Sequence, residues 1–501
     1  MKIQFRQFEK YLIKKPVLWL FVLTLLVNLP AVFFARGYGM HDDHFGPIEQ
    51  PWAVIHNPDL WHSRTTPHAH SIFYPLLHYI LFKILYALGI TDPQEVMLVV
   101  RFLHSLYSTI TIIFLYKILS VNFEQKIALR SVLFLVVLWI MPFLCVRNLI
   151  EMVCIPPLAV GFYLLVKPNT NWKNLALSAL FFALAFAFRY QTLMMSGTVL
   201  LILVFKKQFK DAIVFGGSLL LFALLIQGSV DVFAWGYPFA SFAEYVWYNF
   251  THRGDYTTGP IYRYFLLLLG IFIPPLSFFI IKYFFTSFNK HIYIVLPILV
   301  FFVFHSIFPN KQERFILPIV PFVFTIGMAN FIASVENGEI FAKRRKYYNL
   351  VLILFWLFNI PLFVALSFNY GKKTRCESLY FLSKQHDVRG VFQITGKLGP
   401  FKPPEFYLNK YGTPVVEIPR IDSLGKFTAD KPQPNYAVIY GEAVEIDSLK
   451  ISAEKILGRK MVFLAEIKPS LVDWIVYKLN PKYNKNQTAR IYKIADRNKP
   501  F

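Results

Sequence analysis

The stretch "VLWLFVLTLLVNLPAVFFARGYGMHDDHFGPIEQPW", residues 17–52, joins two kinds of chemistry. From Val17 to Phe34 it is an apolar run, long enough to cross roughly 30 Å of hydrocarbon as a helix. Beyond that run, Asp42 and Asp43 stand side by side between His41 and His44. Runs of the first kind recur as far as Phe368, which makes the chain an α-helical polytopic membrane protein. Composition agrees: of 501 residues, 56% are hydrophobic and only 16% charged, too apolar for a water-soluble domain.

The formal net charge of +23 would suggest a nucleic-acid partner in a soluble protein. Here the lysines and arginines gather in short segments between apolar runs, the pattern that sets membrane orientation, and no nucleic acid is expected. Lys2, Arg6, Lys10, Lys14 and Lys15 precede the first run and place the N-terminus in the cytoplasm. No small-residue cleavage site follows, so this first helix reads as uncleaved. Further spans near 98–119, 127–146, 151–166, 174–190, 192–205, 212–232, 264–284, 292–308, 317–335 and 350–368 bring the total to about eleven transmembrane helices. Residues 74–90 are short and carry His78 and Lys83, and read as a helix lying on the outer face; a short span is the competing reading. With the surface reading, Lys206, Lys207, Lys210, Lys290 and the "KRRK" at 343–346 fall on the cytoplasmic side.

Residues 1–369 then form a membrane region whose outer-face loops are 37–97, 233–263 and 309–316. The tail, 370–501, alternates strand-like runs ("VRGVFQI", "TPVVEI", "NYAVIYG") with segments of helical period, and reads as a soluble α/β domain on the outer side. Cys145, Cys154 and Cys376 supply neither a disulfide framework nor a zinc signature.

The unusual charges fall on the outer face. Adjacent carboxylates in a turn diverge, so one can take a proton from a hydroxyl while the other positions it. Glu49 lies in the same loop, as do His41, His44, His62, His68 and His70, without the spacing of a metal site. Lys311 and Arg314, in "FPNKQERFILPIVP" at 308–321, are cations at the edge of the hydrocarbon that suit an anionic phosphate. The loop "DVFAWGYPFASFAEYVWYNFTHRGDYTTGPIYRYF" at 231–265 opens on Asp231 at a span end and is dense in aromatic rings that could stack on a sugar. Arg189 and Arg101 lie at span ends in the same plane.

On these residues the chain resembles the lipid-linked-sugar-dependent GT-C glycosyltransferases, and within them the family 22 mannosyltransferases, over roughly residues 38–325. The family's first loop carries two acids, an aromatic and a glutamate, similar to Asp42, Asp43, Phe45 and Glu49. Its pattern of a basic residue, Ser and then Tyr-Pro resembles "HSIFYP" at 70–75, with His70 where arginine is usual. Its HKExRFxxP pattern is similar to "NKQERFILP" at 310–318, which keeps Lys311, Arg314, Phe315 and Pro318 but has Asn310 and Gln312 in place of His and Glu. Asp231, Gly236, Asn249, Gly259 and Tyr264 of the aromatic loop also sit on family positions.

The resemblance implies a GT-C fold and an inverting transfer of mannose from a polyprenyl-phosphate donor to a glycan or glycolipid acceptor on the outer face of a bilayer. It implies Asp42 or Asp43 as the base, with Glu49, His70, Arg101, Arg189, Asp231, Asn249, Lys311 and Arg314 around the substrates. A monophosphate leaving group demands no metal, and no cofactor is expected. Two further readings stand beside it: a GT-C transferase for another lipid-phosphate-linked sugar, such as aminoarabinose or glucose, and a lipid-linked-sugar transporter or flippase. A bacterial inner membrane is favoured over the endoplasmic reticulum because His70 departs from the eukaryotic pattern.

Overall fold

The computed structural model describes residues 11–61, 66–341, 344–427, 434–482 and 484–495. Lys2, Arg6, Lys10, His62 and Lys343, named above, lie outside them. The described helices are α1 (Pro16–Phe34), α2 (Phe73–Ala87), α3 (Pro93–Leu119), α4 (Gln125–Val136), α5 (Ile155–Val166), α6 (Trp172–Phe188), α7 (Leu193–Phe205) and α8 (Phe209–Trp235). There follow α9 (Ala240–Thr251), α10 (Arg263–Ile271), α11 (Leu276–Phe285), α12 (Ile292–Ile307), α13 (Glu313–Glu336) and α14 (Arg345–Ser367). The tail adds α15 (Lys373–Ser383), α16 (Ala443–Leu457) and α17 (Leu471–Leu479), with strands β1 (Val391–Ile394), β2 (Val415–Ile418), β3 (Tyr436–Gly441), β4 (Met461–Ile467) and β5 (Thr488–Ile494).

Length and composition admit five membrane-crossing helices among the described residues, α1, α3, α8, α13 and α14, or six if the bent pair α10–α11 is one span. The eleven expected spans are not met by this measure, because some apolar runs are broken and others form helices of only 10–17 residues. Hydropathy reads 264–284 as one helix, but α10 and α11 meet at 118°. Pro274 and Pro275 cannot donate to the helical ladder, and their rings clash with the preceding turn. The run at 127–146 breaks after Val136, with Pro142 opening a short turn. Asn359 of α14 repairs that break: its amide oxygen accepts from Trp139 N (2.9 Å) and its Nδ2 donates to Val137 O (2.8 Å). In an apolar medium such backbone groups have no water to turn to.

Two compact units emerge. The first comprises Met1–Val32, Trp61–Leu77 and Val100–Ser367. Its central helix is α13, 89% buried over its apolar stretch where α1, α8 and α14 are only 22–28% buried. Helix α11 lies tightly against it, since a Cβ on Gly327 would come within 2.2 Å of Ile280 O. Helices α5 and α8 flank α6, and α7 packs on α12.

The second unit comprises Phe33–Leu60, His78–Val99 and Phe368–Phe501. Its sheet has the order β2-β1-β3-β5-β4, parallel from β2 to β3 and antiparallel from β3 to β4. Phe392, Ile394, Ile418, Ile439, Ile446, Leu457 and Tyr492 form its core. The expected C-terminal α/β domain is thus present, with β1 to β3 on the three strand-like runs. Earlier segments of the chain join it in the unit: Asp92 accepts from Tyr380 OH (3.0 Å) and Lys384 Nζ (2.5 Å), and Gly371 N donates to Arg36 O (3.0 Å). Gly37 and Gly371 pair there as an isolated parallel bridge. Gly37 has φ +65°, and a Cβ on it would sit 1.9 Å from Gly371 O.

Gly37→Ala is therefore expected to cost about 1–3 kcal/mol through overpacking at this bridge. An unchanged thermal midpoint for the purified variant in detergent would contradict the pairing.

Candidate active site

In the second unit, residues 41–43 form a single tight turn that is anchored by one of its two acids. Asp43, 1% exposed, accepts from Gly39 N (3.0 Å) and Met40 N (3.2 Å) through its two oxygens. Asp42 is half-buried, and successive side chains of such a turn project about a third of a circle apart. Asp43 thus holds the backbone of the turn that carries Asp42. A widened helical turn, Phe45–Glu49, follows and turns Glu49 inward. Both Glu49 oxygens accept from Phe406 N (3.0 and 3.1 Å), and Oε1 also meets His44 Nε2 (2.9 Å). The His44 ring is stacked between Tyr38 (4.8 Å) and Tyr407 (5.4 Å). Burial pushes the Tyr38 phenol above its usual range. Glu49 therefore braces the loop against the tail of its own unit.

In the first unit, α6 stops at Phe188 and Arg189 leaves the helical conformation, with φ −149° and ψ 108°. Its side chain is 2% exposed and is held from two directions. Nη1 pairs with Glu151 Oε1, and Nη2 donates to Phe315 O (3.2 Å). Arg314 Nη1 lies 3.6 Å from the same Glu151 oxygen, while its Nε donates to Gln312 Oε1 (2.8 Å). Two arginines singled out in the sequence, Arg189 at a span end and Arg314 in its motif, thus converge on one buried carboxylate. Tyr245 of α9 stands beside them, its hydroxyl bonded to Gln191. Burial pushes this phenol up to about 12, against the lowering effect of Arg189.

Lys311 has other partners. Its ammonium donates to His305 O (2.8 Å), Ser306 O (2.6 Å) and Phe308 O, satisfying carbonyls at the end of α12 that have no intrahelical donor. Burial, and then the charge of Arg263, lower its pKa from the usual lysine range. Arg101, 2% exposed, donates from Nε to Val32 O (2.7 Å), apart from the Glu151 cluster.

Asp231, fully buried, anchors the aromatic loop. It accepts from Ser241 Oγ (2.5 Å) and Ser241 N (3.2 Å), fastening the first turn of α9 to the end of α8. Ser241 Oγ exchanges a hydrogen bond with Tyr190 OH (2.6 Å). Gln227 Nε2 donates to both hydroxyls (3.0 and 3.2 Å), and Gln227 Oε1 accepts from Ser71 Oγ (2.7 Å). Ser71 belongs to the "HSIFYP" motif, so this network ties that motif to the aromatic loop. His70 is exposed, with its ring 6.5 Å from that of Tyr245, and Asn249 Nδ2 donates to Tyr245 O (2.8 Å) within α9. Sequence reasoning missed Glu151, Gln227, Gln191 and Tyr245. For Glu151 a signal existed, since a lone carboxylate at the start of an apolar run is rarely idle.

A helical membrane region followed by a mixed C-terminal sheet is the fold of the GT-C glycosyltransferases. ArnT from Cupriavidus metallidurans, solved bound to undecaprenyl phosphate, superposes with a TM-score of 0.61 at 12% identity, covering 95% of this chain and 97% of that one. The Archaeoglobus fulgidus oligosaccharyltransferase, solved with zinc and sulfate, gives 0.52 at 12% identity over 89% and 72%. The oligosaccharyltransferase AglB from Archaeoglobus fulgidus, in complex with an inhibitory peptide and a dolichol-phosphate, gives 0.51 at 11% over 98% and 75%. A search of the curated proteins returns no significant match. The sequence profile of the Alg9-like mannosyltransferase family matches residues 19–389, and the chain belongs to that family. It is a membrane glycosyltransferase.

Asp231→Ala would leave the buried N–H and hydroxyl of Ser241 without their acceptor, at a cost of about 1–3 kcal/mol each. The expected outcome is a lower thermal midpoint together with faster limited proteolysis within residues 237–263. Proteolysis at the wild-type rate would show that Asp231 does not fasten the loop.

Proposed function

We infer that the protein transfers mannose from a polyprenyl-phosphate carrier to a hydroxyl of a glycan or glycolipid acceptor, with inversion at the anomeric carbon. The observation that carries this reading is the fixed acid turn: Asp43 holds Gly39 N and Met40 N, which sets the adjoining half-buried Asp42 in a defined conformation, and we assign the proton transfer to Asp42. In the step proposed, the acceptor oxygen forms a bond to the anomeric carbon as the bond from that carbon to the phosphate oxygen breaks. The hydroxyl proton goes to the Asp42 carboxylate, and the electron pair leaves on the phosphate. Arg189 and Arg314 carry the charge that develops there, as preorganised guanidinium groups in a dry site. Lys311, engaged with carbonyls at the end of α12, supports the segment that presents Arg314 rather than meeting the phosphate first.

Family membership favours mannose over aminoarabinose or glucose and favours transfer over transport. The carriers bound in the two structural relatives, undecaprenyl phosphate and dolichol-phosphate, support a polyprenyl-phosphate donor. From the distribution of basic residues we assign the N-terminus to the cytoplasm and the acid loop to the outer face, in a bacterial inner membrane by preference, with 74–90 lying on that face. We assign Glu49, Asp231 and Arg101 to holding the site's framework, and His70 and Asn249 to the acceptor side.

Sugar transfer from polyprenyl-phosphate mannose by the purified protein tests the reading. Asp42→Asn is expected to lower kcat by about 10²–10⁴-fold with the thermal midpoint unchanged, as loss of a general base does. Asp43→Asn should lower both activity and midpoint. Transfer retained in both variants would refute the role of this loop.

A further inference from the structure

Glu151 lies outside every sequence motif, yet Arg189 and the motif residue Arg314 meet on it. Its side chain is 1% exposed, as is that of Arg189, and that of Arg314 is 8% exposed. One oxygen, Oε1, faces Nη1 of both arginines. The other, Oε2, is buried without a hydrogen-bond partner among the described residues, and so is Arg189 Nε. A buried ionic cluster retains desolvated polar atoms only at a cost, and the cost falls when a ligand supplies the missing partners. The ammonium of Lys311 is turned to the carbonyls at the end of α12, and Arg263 is paired with Glu313.

We propose that Glu151 is a specificity-determining residue that removes one unit of charge from the Arg189–Arg314 pair, so that the site takes a phosphodiester and discriminates against a diphosphate. The proposal rests on the reading that this arginine pair holds the donor phosphate. In a place with little water, the Glu151 carboxylate cancels one of the two positive charges that Arg189 and Arg314 bring. A phosphodiester carries one negative charge and a diphosphate at least one more. Lowering the positive charge at the site therefore penalises the diphosphate more than the phosphodiester. Arg189 Nε remains as a donor for a phosphate oxygen, and Glu151 Oε2 as an acceptor for a hydroxyl of the transferred group.

The test measures binding of a polyprenyl-monophosphate mannose, which is a phosphodiester, and of a polyprenyl-diphosphate mannose of equal chain length to the full-length protein in nanodiscs. The wild type is expected to prefer the monophosphate. Glu151→Gln should shift the ratio of the two affinities at least about tenfold toward the diphosphate, since one charge is worth more than that in a dry site. Glu151→Asp, which keeps the charge, should keep the wild-type ratio. Arg314→Gln, which removes a positive charge, should shift the ratio the opposite way and serves also if Glu151→Gln does not fold. A wild-type ratio in both Gln variants would overturn the proposal, as would equal shifts in Glu151→Gln and Glu151→Asp, which would point to shape rather than charge. If the wild type binds neither phosphate, the donor reading itself fails and this inference with it.

Discussion

The ion pair between Arg189 and Glu151 is the contact on which the first unit's polar interior depends. A lone guanidinium inside an apolar bundle carries a desolvation penalty of several kcal/mol, and so does a lone carboxylate. Each is tolerable only because the other is there. Their meeting requires α6 to end at Phe188, so that Arg189 can leave helical geometry and reach across. Arg314 and the backbone of Phe315 close on the same pair, which fixes the entry to α13, the most buried of the long helices. Interruption of helices, a liability in hydrocarbon, is here the means by which charge is presented.

The second unit solves a different problem, how to hold the acid-bearing turn and the residues after it in one conformation. It does so with hydrogen bonds to backbone amides. Asp43 holds residues 39 and 40, and Glu49 holds Phe406. His44, fixed between two phenol rings and bonded to Glu49, joins the two anchors. The tail beyond residue 370 is thus part of the scaffold of the acid loop.

Much of this was legible in the sequence, and what was not has identifiable causes. Apolar runs revealed the helices, but an average over a window passes through Pro274 and Pro275 as though the hydrogen-bond ladder continued. Strands β1 and β3 announce themselves because they are buried on both faces, whereas β4 is largely exposed and β5 mixes charges into its alternation. The acid pair stood out as a dipeptide, yet the roles of its members depend on which one meets Gly39 N and Met40 N. The partnership of Glu151 was hidden for a deeper reason: its partners lie at residues 189 and 314, and no local pattern encodes a meeting at that distance.

The bond between Ser71 and Gln227 spans 156 residues of chain. During synthesis the segment bearing "HSIFYP" emerges long before α8 exists, and at roughly 5–20 residues per second the delay is on the order of ten to thirty seconds. Only when Gln227 and then Ser241 have been made can the Ser71 hydroxyl, the Tyr190 phenol and the Asp231 carboxylate all be satisfied. The polar interior of the first unit is therefore a late event in biogenesis, and an insertion intermediate halted before residue 241 holds its early motifs without their permanent partners.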